Sequence, residues 1–192
     1  MPIRLMSPAT DLDVVAGLVY DTDAYLFPLL FGSRGHALPI LKKLIQLDAN
    51  SFSHRYIQVY EAEGVVQAIL IGYNHREINK EAEEADFKSA LPLVDLILLV
   101  PKLWILRPFM DKSDVTGHYI QNVCVAPEHR GKGIGSLLIR NFCETHATDV
   151  WLDVELGNTA ALQLYERLGF RVSRQIPIFL PGLGSYRLVR QP

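Results

Sequence analysis

The chain has 192 residues, 49% of them hydrophobic and 21% charged, with 19 Lys and Arg against 21 Asp and Glu. That length suits one domain, and the apolar fraction excludes a disordered chain, which needs low hydrophobicity and high net charge. A net charge of -2 argues against a general nucleic-acid binder, and two cysteines, Cys124 and Cys143, cannot build a disulfide scaffold.

The N-terminal run MPIRLMSPATDLD lacks the apolar core of a signal peptide. The most apolar stretch, residues 91–110, is interrupted by Asp95, Pro101, Lys102 and Arg107, so it does not read as a membrane span. The expectation is a cytoplasmic protein without a membrane role, its two thiols reduced and packed as small core residues.

Residues 3–6 read as an edge strand. Thr10 or Asp11 is placed to cap a helix whose face is Leu12, Val15, Leu18 and Val19. Residues 21–35 are rich in aromatics and broken by Pro28, Gly32 and Gly35, which predicts a loop or an interrupted helix. Tyr20, Tyr25, Phe27 and Phe31 are expected in the core there, with a substrate pocket as the alternative. A second helical pattern covers 37–47. Two strands, 56–61 and 65–73, flank Ala62, Glu63 and Gly64, a hairpin signal. The second is nearly continuous in apolar residues, so both its faces are expected to be buried.

Residues 77–115 open with EINKEAEEADFKSA, a charged helical stretch read as a solvated face. The apolar stretch that follows is expected to pack on the domain or on a partner subunit. Residues 118–125 read as a strand that Pro127 stops. A helix follows with Ile134, Leu137, Leu138 and Phe142 on its apolar face. Residues 150–156 form another strand. Asn158 caps the next helix, whose face is Ala161, Leu164, Tyr165 and Leu168, and Gly169 ends it. Residues 170–180, the turn Pro181, Gly182, Leu183 and Gly184, and residues 185–190 read as a closing hairpin. The fold class is α/β, a mixed sheet with helices on its faces.

Between the strand at 118–125 and the next helix lies Arg130-Gly131-Lys132-Gly133-Ile134-Gly135. Glycines allow close backbone approach, and a helix start presents bare N–H groups and the positive end of its dipole. Arg130 and Lys132 add charge, so the turn suits a pyrophosphate. A Walker A loop is not met, because Ala126 replaces its first glycine and Gly133 its Ser/Thr. The dinucleotide fingerprint fits Gly131 and Gly133 but meets Ser136 at its third glycine.

The run V-x-V-x-P-x-x-R-G-x-G-I-G, from Val123 to Gly135, resembles the acetyl-CoA signature of the GNAT superfamily of N-acetyltransferases. Asn158, Ala161, Leu164, Tyr165, Leu168, Gly169 and Phe170 resemble that superfamily's second signature, and WLDVELGN is similar to the ribosomal-protein N-terminal acetyltransferases. The likeness covers roughly residues 118–180. It implies a mostly antiparallel central sheet with helices on both faces, one domain over 1–192, and a helical insert at about 77–115 before the cofactor-binding strand.

The resemblance further implies acetyl-CoA as cosubstrate, no metal, and acetyl transfer by direct attack of an amine in a ternary complex. Backbone groups of Val123, Cys124 and Val125 bond the pantetheine arm. The amides of Arg130, Gly131, Lys132, Gly133, Ile134, Gly135 and Ser136 hold the pyrophosphate, and Asn158 contacts the cofactor. An amide at or near Val123 serves the developing oxyanion. Tyr165 supplies a hydrogen bond to the leaving thiolate. The base that deprotonates the amine is open among Asp153, Glu155 and His118, with bulk water as the remaining choice. Strand alternation puts Trp151, Asp153 and Glu155 on one face. The acceptor is a small-molecule or peptide amine, and the closing hairpin suggests a homodimer. Two other readings stay open: a non-catalytic CoA-binding module of the same fold, and a nucleotide-dependent enzyme.

Overall fold

Strand β1 (Ile3–Leu5) leads into helices α1 (Leu12–Tyr20), α2 (Leu26–Phe31) and α3 (Arg34–Gln46), then strands β2 (Ile57–Ala62) and β3 (Val65–Asn74). Helices α4 (Lys80–Ala90) and α5 (Leu93–Met110) follow, then β4 (His118–Val125), α6 (Ile134–Thr145), β5 (Val150–Glu155), α7 (Thr159–Arg167), β6 (Arg171–Pro177) and β7 (Gly184–Arg190). This computed structural model describes residues 2–177 and 184–192, the side chain of Phe109 excepted. The turn Pro181, Gly182 and Leu183 and the predicted strand end at Leu180 lie outside the described residues.

The strands form one sheet in the order β1-β2-β3-β4-β5-β7-β6. Every neighbouring pair is antiparallel except β4 and β5. The sheet is thus mixed and mostly antiparallel, as expected. Glu63 and Gly64 both take positive φ between paired Ala62 and Val65, a two-residue turn of the kind that matches strand twist. Strand β3 is buried from Val66 to Tyr73, in keeping with its continuous apolar sequence.

Helices cover both faces. On one, Leu41, Leu44 and Ile45 of α3 and Val15 and Val19 of α1 pack with Ile57, Ile69, Ile71 and Tyr119. On the other, Leu138, Ile139 and Phe142 of α6 pack with Ala68, Leu70, Ile120, Leu152 and Leu188. Burying each such side chain stabilises by about 1.5–3 kcal/mol. Gly72 permits the second contact, since a Cβ there would stand 2.5 Å from the Phe142 ring.

Several local expectations need correction. Asp11 precedes α1 but does not cap it with its side chain. Its carboxylate accepts from the Ser7 amide at 2.7 Å and from Arg4 at 2.7 Å, so the charge partner outcompetes the helix. Leu137 is exposed and Ile139 takes its place in the core. The acidic stretch of α4 is not merely solvated. Asp86 accepts from the Ala49 amide at 2.9 Å and Glu83 from the Ser51 amide at 3.0 Å, which staples α4 to the 49–51 loop. Of the four aromatics near 20–31, Phe27 and Phe31 are core and Tyr20 is half-buried, while Tyr25 is 81% exposed.

Candidate active site

Strands β4 and β5 share only three registered pairs, from His118↔Val150 to Ile120↔Leu152. Beyond them β4 stays paired to β3 through Val125↔Ala68, and β5 to β7 through Glu155↔Ser185. Each strand therefore follows its other neighbour, and a wedge opens between them. An extra residue in β4 contributes to the divergence. Ile71 pairs with Asn122 and Gly72 with Ile120, which leaves Gln121 as a bulge that bends the strand.

The glycine turn sits at the open end of this wedge. Gly131 and Gly133 have φ of 76° and 77°, a region costly for other residues, and open space faces their missing side chains. No backbone carbonyl accepts from the amides of residues 131–136, and no side chain caps α6. These bare donors, with the α6 dipole, are suited to an anion. Beside them lies a cavity of about 400 Å³ lined by Lys132, Gly133, Ile134, Ser136 and Arg140, with Tyr60 from β2. Arg130 turns away from it, its Nε donating to the Val125 carbonyl at 3.1 Å. The cations at the cavity are Lys132 and Arg140. Arg140 stands one helical turn after Ser136, a spacing the sequence offered as a signal.

Trp151, Asp153 and Glu155 do share a face, the one covered by α1. Asp153 is fully engaged there. Arg187 of β7 donates to both its oxygens, at 2.9 and 3.0 Å, and Lys112 Nζ lies 2.5 Å from Oδ2. Burial works against the charge, but these two cations hold its carboxyl below the usual carboxylate range. A carboxylate so paired is a weak proton acceptor. Arg187 is fully buried and also pairs with Asp114. Lys112 donates to the Tyr119 hydroxyl at 2.7 Å. Burial pushes its ammonium down to about 8, against the pull of Asp153. Sequence reading missed Lys112, Asp114 and Arg187. The signal was a charged residue on an inward strand face, which demands a buried partner.

Glu155, the last residue of β5, faces the Asp23 carboxylate. Burial first, and the Asp23 charge second, raise its pKa. Asp23 itself is fixed by accepting from the Tyr25 and Leu26 amides at 2.8 and 2.7 Å. Asp21 and Thr22 of the same loop lie near Cys124 on β4. The α1–α2 loop thus reaches both margins of the wedge.

Asn158 caps α7, its Oδ1 accepting from the Ala161 amide at 3.1 Å. Tyr165 packs edge-on against Phe170, and burial raises its phenol to about 12, so it stays protonated at neutral pH. No described residue pairs with its hydroxyl. His118 stands at the closed end of β4, stacked on His146 with ring centroids 3.8 Å apart. Val123 and Val125 face α6, while Cys124 faces α1 with its thiol raised to about 11 by burial. Among the described residues no group of His, Cys, Asp and Glu is arranged to hold a metal. No described helix is long and apolar enough to cross a membrane.

Residues 100–170 match the model of the Acetyltransferase (GNAT) family. Streptothricin acetyltransferase from Streptomyces lavendulae is 44% identical over 55 residues, covering 27% of this chain and 29% of that protein. N-alpha-acetyltransferase MAK3 from Arabidopsis thaliana is 39% identical over 75 residues, 36% of this chain and 40% of that one. The chain therefore spans well under two thirds of these curated relatives. Among solved structures, an N-acetyltransferase from Staphylococcus aureus Mu50 superposes with a TM-score of 0.73 at 24% identity, over 97% of this chain and 98% of that one. Chaetomium thermophilum Naa20, solved with a bisubstrate analogue, gives 0.58 at 18% identity, over 100% and 86%. With the wedge and the glycine turn, the chain shares the fold of these acetyltransferases, and its residues 100–170 are similar to the GNAT family.

Proposed function

We propose that this chain transfers an acetyl group from acetyl-CoA to a primary amine of a small molecule or peptide, by direct attack in a ternary complex. The observation that carries this reading is the β4–β5 wedge opening onto the unpaired amides of residues 131–136. When bound, acetyl-CoA supplies an activated thioester. The donor set suits it: glycine backbone bare of side chains, a helix start, and two flanking cations.

In this reading Val123, Cys124 and Val125 bond the pantetheine arm along the free edge of β4. Lys132 and Arg140 add charge to the pyrophosphate amides, and Arg130 braces the end of β4. Asn158 contacts the cofactor with the part of its side chain that capping leaves free. The α1–α2 loop lies over the acceptor side of the wedge. Asp23 and Glu155 attract the cationic amine, and Glu155 takes its proton. The raised pKa of Glu155 makes that transfer less uphill than for an ordinary carboxylate. Asp153 is a positioning residue: it ties β5 to β7 and to the insert, and keeps that wall rigid. The amide of Val123 or a neighbour donates to the acyl oxygen. Tyr165 donates from its hydroxyl to the departing sulfur. Two unpaired cysteines suit a cytoplasmic setting.

Thiol release from acetyl-CoA tests the proposal, with polyamines, aminoglycosides and peptides with free or blocked N-termini as acceptors. Release that requires a free amine is the expected result. Thermal stabilisation by acetyl-CoA without release for any amine would favour a binding module. A 100-fold excess of ligand over Kd stabilises by about 2.7 kcal/mol. Such a shift with NAD or ATP, and none with acetyl-CoA, would overturn the reading.

A further inference from the structure

Helix α5 is apolar around most of its circumference. Leu96, Leu99 and Leu103 point to the core. About a quarter-turn round lies a ridge of Leu93, Ile97, Val100 and Trp104, at i, i+4, i+7 and i+11, with Leu98 and Ile105 farther round on the outer side. All six are more than half exposed. At 100° per residue they span an arc of about 160°, and Asp95, Lys102 and Arg107 all fall outside it. The six exposed residues amount to roughly 700 Å² of largely apolar surface, beyond the ~300–600 Å² of a typical monomer's largest patch.

We propose that two copies of this chain pair through the exposed face of α5, antiparallel about a two-fold axis between Val100 and Pro101. The area available to each copy falls within the spread around the ~800 Å² per partner of a standard interface. A two-fold contact needs a self-complementary surface, and an apolar ridge free of charged residues meets that requirement. Pro101 and Pro108 lie in the same arc and have no N–H, so the carbonyls of Ile97 and Trp104 lose their usual helical donors. The two-fold axis sets Trp104 of one copy opposite Ile97 of the other. The Trp104 indole N–H, which no described residue accepts, then has a free carbonyl within its reach. Hydrocarbon would leave those carbonyls unsatisfied. That favours a protein partner over a membrane.

Sedimentation velocity on the full chain tests this. A dimer at micromolar concentration is expected. Ile97→Glu and Trp104→Glu should each weaken it by roughly 100-fold, because burying an unpaired carboxylate costs more than a lost apolar contact. Circular dichroism and the acetyl-CoA thermal shift should stay unchanged. Val100→Cys in a Cys143→Ser background should cross-link to itself under mild oxidation, which decides the matter even if the glutamate variants fail to fold. A monomer at every concentration, a dimer that survives both glutamates, or flotation of a monomeric protein with phosphatidylcholine or phosphatidylserine vesicles would overturn the proposal.

Discussion

Replacing Asp153 with Asn removes the one carboxylate that Arg187 and Lys112 share. Arg187 is fully buried and Lys112 keeps only 13% of its side chain exposed. Neither cation can rehydrate in place. Breaking a buried pair from one side costs about 3–5 kcal/mol, because a charge is left without its counter-ion. Arg187 still holds Asp114 and the Asp111 carbonyl, so the lower end of that range applies. For a chain of this length each kcal/mol moves Tm by about 2–4 °C, so a fall of roughly 6–12 °C is expected. The loss also depends on pH in a defined direction. Folded Lys112 releases its proton near 8, below the ordinary 10.5. Between those values the unfolded chain binds more protons, so wild-type stability rises with pH there. Without Asp153 to hold the ammonium, the same window opens at lower pH. The variant gains stability below pH 8 where the wild type does not, and the gap between them narrows toward pH 8. Urea denaturation near pH 6 and near pH 8 measures both quantities. A loss under about 1 kcal/mol would mean that the pair behaves as a solvated one. A gap equal at both pH values would mean that Lys112 is not held by Asp153.

Glu155→Gln should lower kcat by about 10²–10⁴-fold and remove the acidic limb of the pH–rate profile, while Asp153→Asn keeps that limb. Asp23→Asn should shift the limb to lower pH, since a neighbouring negative charge no longer raises Glu155; a limb that stays put assigns the base elsewhere. Gly133→Ala should cost about 1–2 kcal/mol in the melt, because its φ is positive, and should weaken acetyl-CoA binding; unaltered affinity by calorimetry would move the pyrophosphate away from this turn. Tyr165→Phe keeps the ring against Phe170 and removes only the hydroxyl, so kcat should drop with little change in KM; an unchanged turnover number across pH removes Tyr165 from the chemistry.

What the sequence made legible was what depends on local rules. The strand at 118–125, the cap at Asn158, the left-handed Gly169 and the hairpin turn at Glu63 and Gly64 follow from propensity, alternation and turn chemistry within a few residues. The two faces of β5 followed from its alternation. The wedge lay beyond local rules, since divergence of two strands depends on which neighbours each one pairs with. The partners of Asp153 were not legible, because Lys112 and Arg187 lie 41 and 34 residues away in the chain. Arg130 illustrates a different limit. Its position in the motif suggested an anion contact, yet the free carbonyl of Val125 at the strand end captured its guanidinium. Asp11 erred the same way, a helix cap in sequence but an ion-pair partner in space. Long polar side chains have several acceptors within reach, and local spacing does not rank them.

Strands β3 and β4 are antiparallel neighbours, paired up to Asn74↔His118. A turn of two to five residues would suffice to join them. The sheet's register is therefore indifferent to the length of the segment between them, and insertions there leave the cofactor side untouched. That freedom is bounded at a few anchors, because Ala90, Leu99 and Val115 are buried in the core and Lys112 reaches Asp153. The helices between those anchor points are therefore exchangeable as a block, and the lysine at the end of the segment couples each version to the same strand wall. Chimeras that swap residues 80–110 between relatives while keeping Lys112 and Val115 should retain the sheet and a single cooperative melt.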